Sequence, residues 1–189
     1  MKTCKTTLAV AAAACLVAAT AHAADSLPPG TLITGQVSGA SALLLGLDHL
    51  FANEPGTQVS ALAAGDLEFI TADAQVAVDF FADGHVQVWN NSGSTSLPGS
   101  YTLDFSFAGL PAPLTAFAPL DFTGLNGGTA SVLLTGPSSI RLTLNNLSFT
   151  SEFGSFTAQV ASAVPEPASL ALLGAGLALV AVRRARRAA

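Results

Sequence analysis

The chain is poor in cysteine and in large aromatic rings. Its 189 residues include two cysteines, one tryptophan and one tyrosine. Both cysteines, Cys4 and Cys15, lie near the amino terminus, so everything after residue 15 lacks a thiol. A disulfide framework, a cysteine nucleophile and a thiolate metal site are therefore excluded from the rest of the chain.

Positive charge is also scarce, and six of the seven lysines and arginines lie in the two ends of the chain. Residues 24–164 contain eleven acidic residues and one base, Arg141, which gives this segment a net charge of −10. Nucleic-acid binding requires clustered lysine and arginine, so it is excluded as a function. An acidic surface is typical of extracellular proteins and is loosely compatible with divalent cations.

The amino terminus has the pattern of a secretory signal peptide over residues 1–23. Two lysines precede a short apolar segment, Leu8–Ala19, which is too short to span a bilayer core of about 30 Å. Ala21 and Ala23 then supply the small-x-small cleavage pattern. We therefore predict a signal helix, export by the Sec machinery and cleavage by signal peptidase after Ala23.

The carboxyl terminus, residues 164–189, combines a proline-rich motif, an uncharged segment and a basic end. The stretch from Ala168 to Val182 carries no charge and would be roughly 22 Å long as a helix, against about 30 Å of hydrocarbon. One interpretation is a helix buried in a folded domain. Gly174 and Gly176 within an apolar stretch favour a transmembrane helix instead, ended by a basic stop-transfer cluster. That cluster consists of Arg183, Arg184, Arg186 and Arg187.

This tail resembles the PEP-CTERM sorting signal of Gram-negative bacteria. The resemblance covers residues 164–189 and rests on Pro165, Glu166 and Pro167, the leucine-rich and glycine-rich segment 172–177, and the arginine cluster. It implies recognition by an exosortase, an integral-membrane cysteine protease that would cleave near the Pro-Glu-Pro motif. It also implies an inner-membrane-anchored precursor whose body then passes to the cell surface or extracellular matrix. Such proteins are typical of bacteria that make exopolysaccharide and biofilm.

The body, residues 24–163, has the pattern of an acidic all-β extracellular domain. Short alternating apolar runs are separated by clusters of glycine, proline, serine, asparagine and threonine. We predict a single antiparallel β-sandwich with a jelly-roll-like arrangement. About 135 residues with this pattern are enough to bury a core.

The clearest local prediction is a hairpin over residues 75–89. A three-residue loop, 82–84, pairs Val78 with Val88 and Phe80 with Val86, whereas a two-residue loop would mix the two faces. The three-residue loop also places Gly84 at the left-handed position that a G1 bulge requires. In this register Trp89 lies on the outer face, opposite Ala77.

Other strands are predicted from the same alternation. The core-facing residues are expected to be Tyr101, Leu103, Phe105 and Phe107 in one strand, Ile140, Leu142 and Leu144 in a hairpin with residues 130–134, and Phe156, Ala158 and Val160 in the last strand. Residues 31–37 and 66–71 are weaker candidates. Residues 42–51 form an apolar run that fits either a buried strand or a short helix.

The search for catalytic or metal-binding residues in the body finds no constellation. His49 and His85 are its two histidines, and neither belongs to a zinc-like spacing. Asp48 and His49 are adjacent, but neighbours in a strand point to opposite faces. We therefore predict no catalytic residues, no metal site and no cofactor.

The acidic residues and Trp89 leave two alternatives open. Asp66 and Glu68 are expected on one strand face, and Asp79 and Asp83 around the hairpin turn, as solvated surface acids. A structural calcium ion remains an alternative, since calcium binds six to eight oxygens. Trp89 is either covered by a second sheet or exposed, where it can stack on a sugar ring.

Two function classes follow from these observations. The first is a non-enzymatic structural or adhesion component of the matrix that associates with exopolysaccharide. The second is a secreted polysaccharide-active enzyme or a carbohydrate-binding module on a β-sandwich. A glycosidase requires two carboxyl groups that face each other across a cleft. We predict the first class.

Overall fold

The computed structural model describes residues 26–163. The predicted signal helix and the predicted transmembrane helix both lie outside these residues. Within them, no helix is both long enough and apolar enough to cross a bilayer.

The described residues form eleven β-strands and one short 3-10 helix. The 3-10 helix spans Leu47–His49. The strands are β1 (Leu32–Gly39), β2 (Leu44–Gly46), β3 (Val59–Ala61), β4 (Phe69–Thr71), β5 (Val76–Phe80), β6 (His85–Asn90), β7 (Ser96–Ala108), β8 (Leu114–Asp121), β9 (Leu125–Gly136), β10 (Ser139–Phe149) and β11 (Ser155–Ser162).

The strands make two antiparallel sheets, which confirms the all-β prediction and is consistent with a β-sandwich. One sheet has the order β3-β1-β7-β10-β9, and the other has the order β2-β4-β5-β6-β11-β8. Every strand pair in both sheets is antiparallel. The finer jelly-roll assignment stays a prediction.

The core lies between the two sheets and contains a cluster of phenylalanines contributed by both. Phe69 and Phe80 come from the second sheet, and Phe105 and Phe107 come from β7 of the first. The ring centroids of Phe80 and Phe105 are 4.9 Å apart at an interplanar angle of 76°. Edge-to-face contacts of this kind stabilise a core beyond the area they bury. The alternation predicted for β7, β10 and β11 is confirmed, because all their predicted core residues are buried.

The hairpin of β5 and β6 has the predicted register. Val78 pairs with Val88, Phe80 pairs with Val86, and Ala77 lies opposite Trp89. Gly84 has a φ of +89°, the left-handed conformation that the three-residue loop requires. The amide of Gly84 donates to the carbonyl of Phe81 over 2.9 Å and closes the turn.

Gly84 also allows a close approach between this turn and β11. A Cβ atom at position 84 would lie 2.3 Å from the carbonyl oxygen of Val160. The amide of Val160 donates to the carbonyl of Gly84 over 2.8 Å, so moving the turn away from β11 would break this hydrogen bond.

We expect Gly84→Ala to lower the free energy of unfolding by on the order of 3 kcal/mol, through left-handed strain and the clash with Val160. The matched control is Gly30→Ala, since Gly30 has a φ of +81° with no atom within 4 Å of the new methyl group. The control should lose only about 1 kcal/mol. Urea unfolding of both variants measures the difference, and equal losses would show that the contact with β11 is unimportant.

The weaker predictions have mixed outcomes. Residues 42–51 contain both of the proposed elements, strand β2 followed directly by the 3-10 helix. Strand β1 covers most of the candidate 31–37, whereas β4 is shorter than the candidate 66–71 and begins only at Phe69. Strands β3 and β8 were not predicted, and β8 contains Pro119, which an edge strand tolerates.

Candidate functional site

The predicted processing residues lie outside the described part of the chain. They are Ala21 and Ala23 at the signal cleavage site, Pro165, Glu166 and Pro167 in the sorting motif, and Arg183, Arg184, Arg186 and Arg187 in the stop-transfer cluster. The described body ends just before this tail. Strand β11 ends at Ser162, and the amide of Ala163 donates to the carbonyl of Pro113 over 2.9 Å.

Within the body, the most unusual chemical feature is a pair of carboxyl groups, Glu68 and Asp79. Glu68 is completely buried, whereas Asp66 is exposed. The prediction that Asp66 and Glu68 are solvated acids on one strand face is therefore wrong for Glu68. Both residues also precede β4, so they do not share a strand face.

Glu68 is held in place by two backbone donors. The amide of Ala63 donates to its Oε1 over 3.1 Å, and the amide of Phe80 donates to its Oε2 over 2.8 Å. The carboxyl group thus links the segment before β4 to the end of β5. Two backbone amides that would otherwise be buried without an acceptor are satisfied by one side chain, which explains why an acid is tolerated in the core.

The raised pKa values of Glu68 and Asp79 indicate that one proton is shared between them near neutral pH. Desolvation by burial raises the pKa of Glu68 to about 8, and the nearby Asp79 adds to this effect. Burial also raises the pKa of Asp79, while its hydrogen bond with Glu68 works in the opposite direction. The Oδ1 atom of Asp79 is buried and has no donor other than such a proton. A hydrogen bond between two carboxyl groups needs one proton between them, so the pair carries one negative charge rather than two.

This pair does not have the geometry of a glycosidase. Glycosidase carboxyl groups are separated by about 5 Å or more, so that the sugar lies between them. Glu68 and Asp79 instead bond to each other, and Glu68 has no exposed surface. We therefore expect the ionisation of Glu68 to act on the stability of the fold.

Asp79 also borders an open groove of about 330 Å³ on the outer face of the second sheet. The groove contains two exposed aromatic side chains, Trp89 on β6 and Phe153 in the loop between β10 and β11. Trp89 is 36% exposed and Phe153 is 56% exposed. The sequence left open whether Trp89 is covered, and the structure shows that its side chain is partly exposed. Phe153 was missed, although an aromatic residue directly before a glycine in a polar loop is a usable signal.

The two histidines lie apart and bond to different acids. The Nδ1 atom of His49 lies 2.6 Å from Oε1 of Glu54, and that of His85 lies 2.8 Å from Oδ2 of Asp83. Asp48 accepts a hydrogen bond from the amide of Ala61, whereas the imidazole of His49 is bonded to Glu54. Adjacency in sequence therefore does not make Asp48 and His49 a dyad.

The remaining polar side chains of note are paired within the fold. Arg141 donates two hydrogen bonds to Asp104, over 2.7 and 3.1 Å. The hydroxyl of Tyr101 donates to Asp73 over 2.9 Å, and burial together with this bond raises the pKa of Tyr101 to about 12. Across residues 26–163, no three histidine, cysteine or acidic side chains come together as a metal-binding group.

Comparison with known proteins assigns the tail. Residues 163–187 match the PEP-CTERM protein-sorting motif, and the match is limited to this segment. The motif supports an exported protein that is processed by an exosortase from a membrane-anchored precursor. No curated protein and no solved structure matches the chain.

Proposed function

From the PEP-CTERM sorting motif that this chain carries, we propose that its body is a non-enzymatic structural or adhesion component of the cell surface or extracellular matrix. In this proposal the signal peptide directs the chain to the Sec machinery. An exosortase then removes the tail near residues 165–167, and the released body associates with exopolysaccharide. No cofactor takes part.

The observation that carries the proposal is the position of the motif relative to the fold. The motif begins at residue 163, and the last strand, β11, ends at Ser162. Cleavage near residues 165–167 therefore leaves all eleven strands in the released body. A disposable tail must be separable in this way, because a cut inside β11 would remove a strand from the interior of the second sheet.

The charge of the body supports a role outside the cell without a catalytic centre. Its single base, Arg141, is already paired with Asp104. Glu68, the fully buried acid of the carboxyl pair, is closed to substrates because it has no exposed surface. An acidic surface of this kind keeps extracellular copies apart from one another by mutual repulsion.

A second candidate is a carbohydrate-binding module or a polysaccharide-active enzyme. The partial exposure of Trp89 favours it, because an accessible tryptophan on a β-sandwich is a suitable platform for a sugar ring. A binding module is compatible with the matrix role, whereas an enzyme is not.

The test is made in the host that produces the protein. Extracellular polymer is collected from cells with and without the exosortase, and the body is located by antibody. We expect the body to sediment with the polymer only when the exosortase is present, and purified body to release no reducing ends from that polymer. Release of reducing ends would establish the enzyme instead, and a body that never sediments with polymer would contradict the matrix role.

A further inference from the structure

We propose that the groove between Trp89 and Phe153 is a binding site for one pyranose ring of a neutral polysaccharide. This inference rests on the proposed association with exopolysaccharide and names the surface that makes it. The groove, at about 330 Å³, lies at the lower end of the size range of small-molecule sites.

The sheet covers the side chain of Trp89 only in part. Its cross-strand partners are Ala77 on β5 and Ser155 on β11, and both have small side chains. Large neighbours at these positions would have packed over the indole, as happens on the core face. Small residues on both sides instead leave part of the Trp89 side chain accessible to a ligand.

Phe153 is held beside the groove at a conformational cost. Its φ is +55°, a left-handed conformation that is rare for a bulky residue and costs roughly 1 to 2 kcal/mol. The turn that imposes it is fixed to β6, because the carbonyl of Gly154 accepts from the amide of Asn90, the residue after Trp89. Strained residues with exposed side chains are concentrated at binding sites.

The negative charge near the groove favours a neutral sugar over an anionic one. Asp79 borders the groove, and the charge of Asp66 acts on Asp79. The only base among residues 26–163, Arg141, belongs to β10 in the other sheet and is paired with Asp104. An anionic polymer would therefore meet like charge and no cation. A neutral ring presents apolar C–H faces to the aromatic rings and hydroxyl donors to Asp79.

Trp89 is the only tryptophan in the chain, so its fluorescence reports on this site alone. The probes are the hexamers of cellulose, laminarin, mannan and dextran, with a polymannuronate hexamer as the anionic comparison. The protein is used as it is recovered from its host, with or without the tail. We expect at least one neutral hexamer to shift the emission to shorter wavelength and protect Trp89 from acrylamide, and the anionic hexamer to do neither. No change with any neutral hexamer would overturn the proposal.

Calorimetric titration of variants completes the test. Phe153→Gly removes the ring and relieves the strain, so we expect about tenfold weaker binding with no loss of thermal stability. Trp89→Ala should abolish binding. Leu133→Ala is the matched control, since Leu133 is 56% exposed on β9 of the other sheet and should not alter binding. Binding that survives both groove variants would overturn the proposal. Removal of the tail is measured in a separate experiment, so a failure of the sugar site would not count against processing by an exosortase.

Discussion

Alanine at Pro165, Glu166 and Pro167 should almost abolish release of the body from the membrane. Proline fixes its own φ and restricts the residue before it, so the sequence predicts that Glu166 is presented in a non-helical segment. The triple alanine variant lacks both this backbone restriction and the Glu166 carboxylate, so a protease that recognises them would no longer bind the segment. We expect the triple variant to remain in the membrane fraction at the mass of the precursor, measured by fractionation and immunoblotting.

The control for this experiment is another glutamate–proline pair in the same chain. Glu54 and Pro55 are both exposed and lie in the body, more than 100 residues before the matched segment 163–187 in the sequence. Glu54→Ala with Pro55→Ala should leave release unchanged. If the tail variant is released as efficiently as this control, the Pro-Glu-Pro motif does not direct processing.

Stability should fall as the pH rises from 5.5 to 8.5, and Glu68 should be the main cause. The pKa of Glu68 rises from an ordinary value of 4.5 to about 8 in the folded chain, because burial disfavours the charged form. Between these values the folded state holds a proton that the unfolded state has lost, so each increase in pH favours unfolding. The expected loss is on the order of 3 kcal/mol, or about 10 °C in Tm.

Glu68→Gln distinguishes the contribution of Glu68 to this pH dependence from the contributions of all other titrating groups, including the histidines. Its amide nitrogen cannot accept from the amide of Ala63 or Phe80, so the variant should be less stable than the wild type at pH 5.5 by about 1 to 3 kcal/mol. Its stability should then change little up to pH 8.5. Glu152→Gln, a change at an exposed acid in the loop between β10 and β11, should retain the wild-type slope. Wild-type stability that stays constant or increases with pH would contradict the shared-proton account.

The hairpin of β5 and β6 could be predicted from sequence down to its register, because local information was sufficient. Alternation places Val78 and Phe80 on one face, and only a three-residue loop keeps Val86 and Val88 on that face too. Strand β8 was harder to predict. Its Pro119 argues against a strand, and only its position at the edge of a sheet makes the proline acceptable.

The burial of Glu68 could not be predicted, because it depends on partners that are distant in sequence. Its carboxyl group bonds to the amides of Ala63 and Phe80, which are 5 and 12 residues away. Alternation says which face a residue occupies, but it does not say which backbone amides lack an acceptor. The groove could not be predicted from the sequence either, because Phe153 lies beside Trp89 only when β11 is paired with β6.

The most direct test of the sorting account is the intact mass of the protein recovered from the medium of a host that contains the exosortase. The account predicts a chain that begins near Ala24 and ends near Pro165, with every strand of the sandwich retained. A recovered chain that still carries Arg183–Arg187 would contradict it.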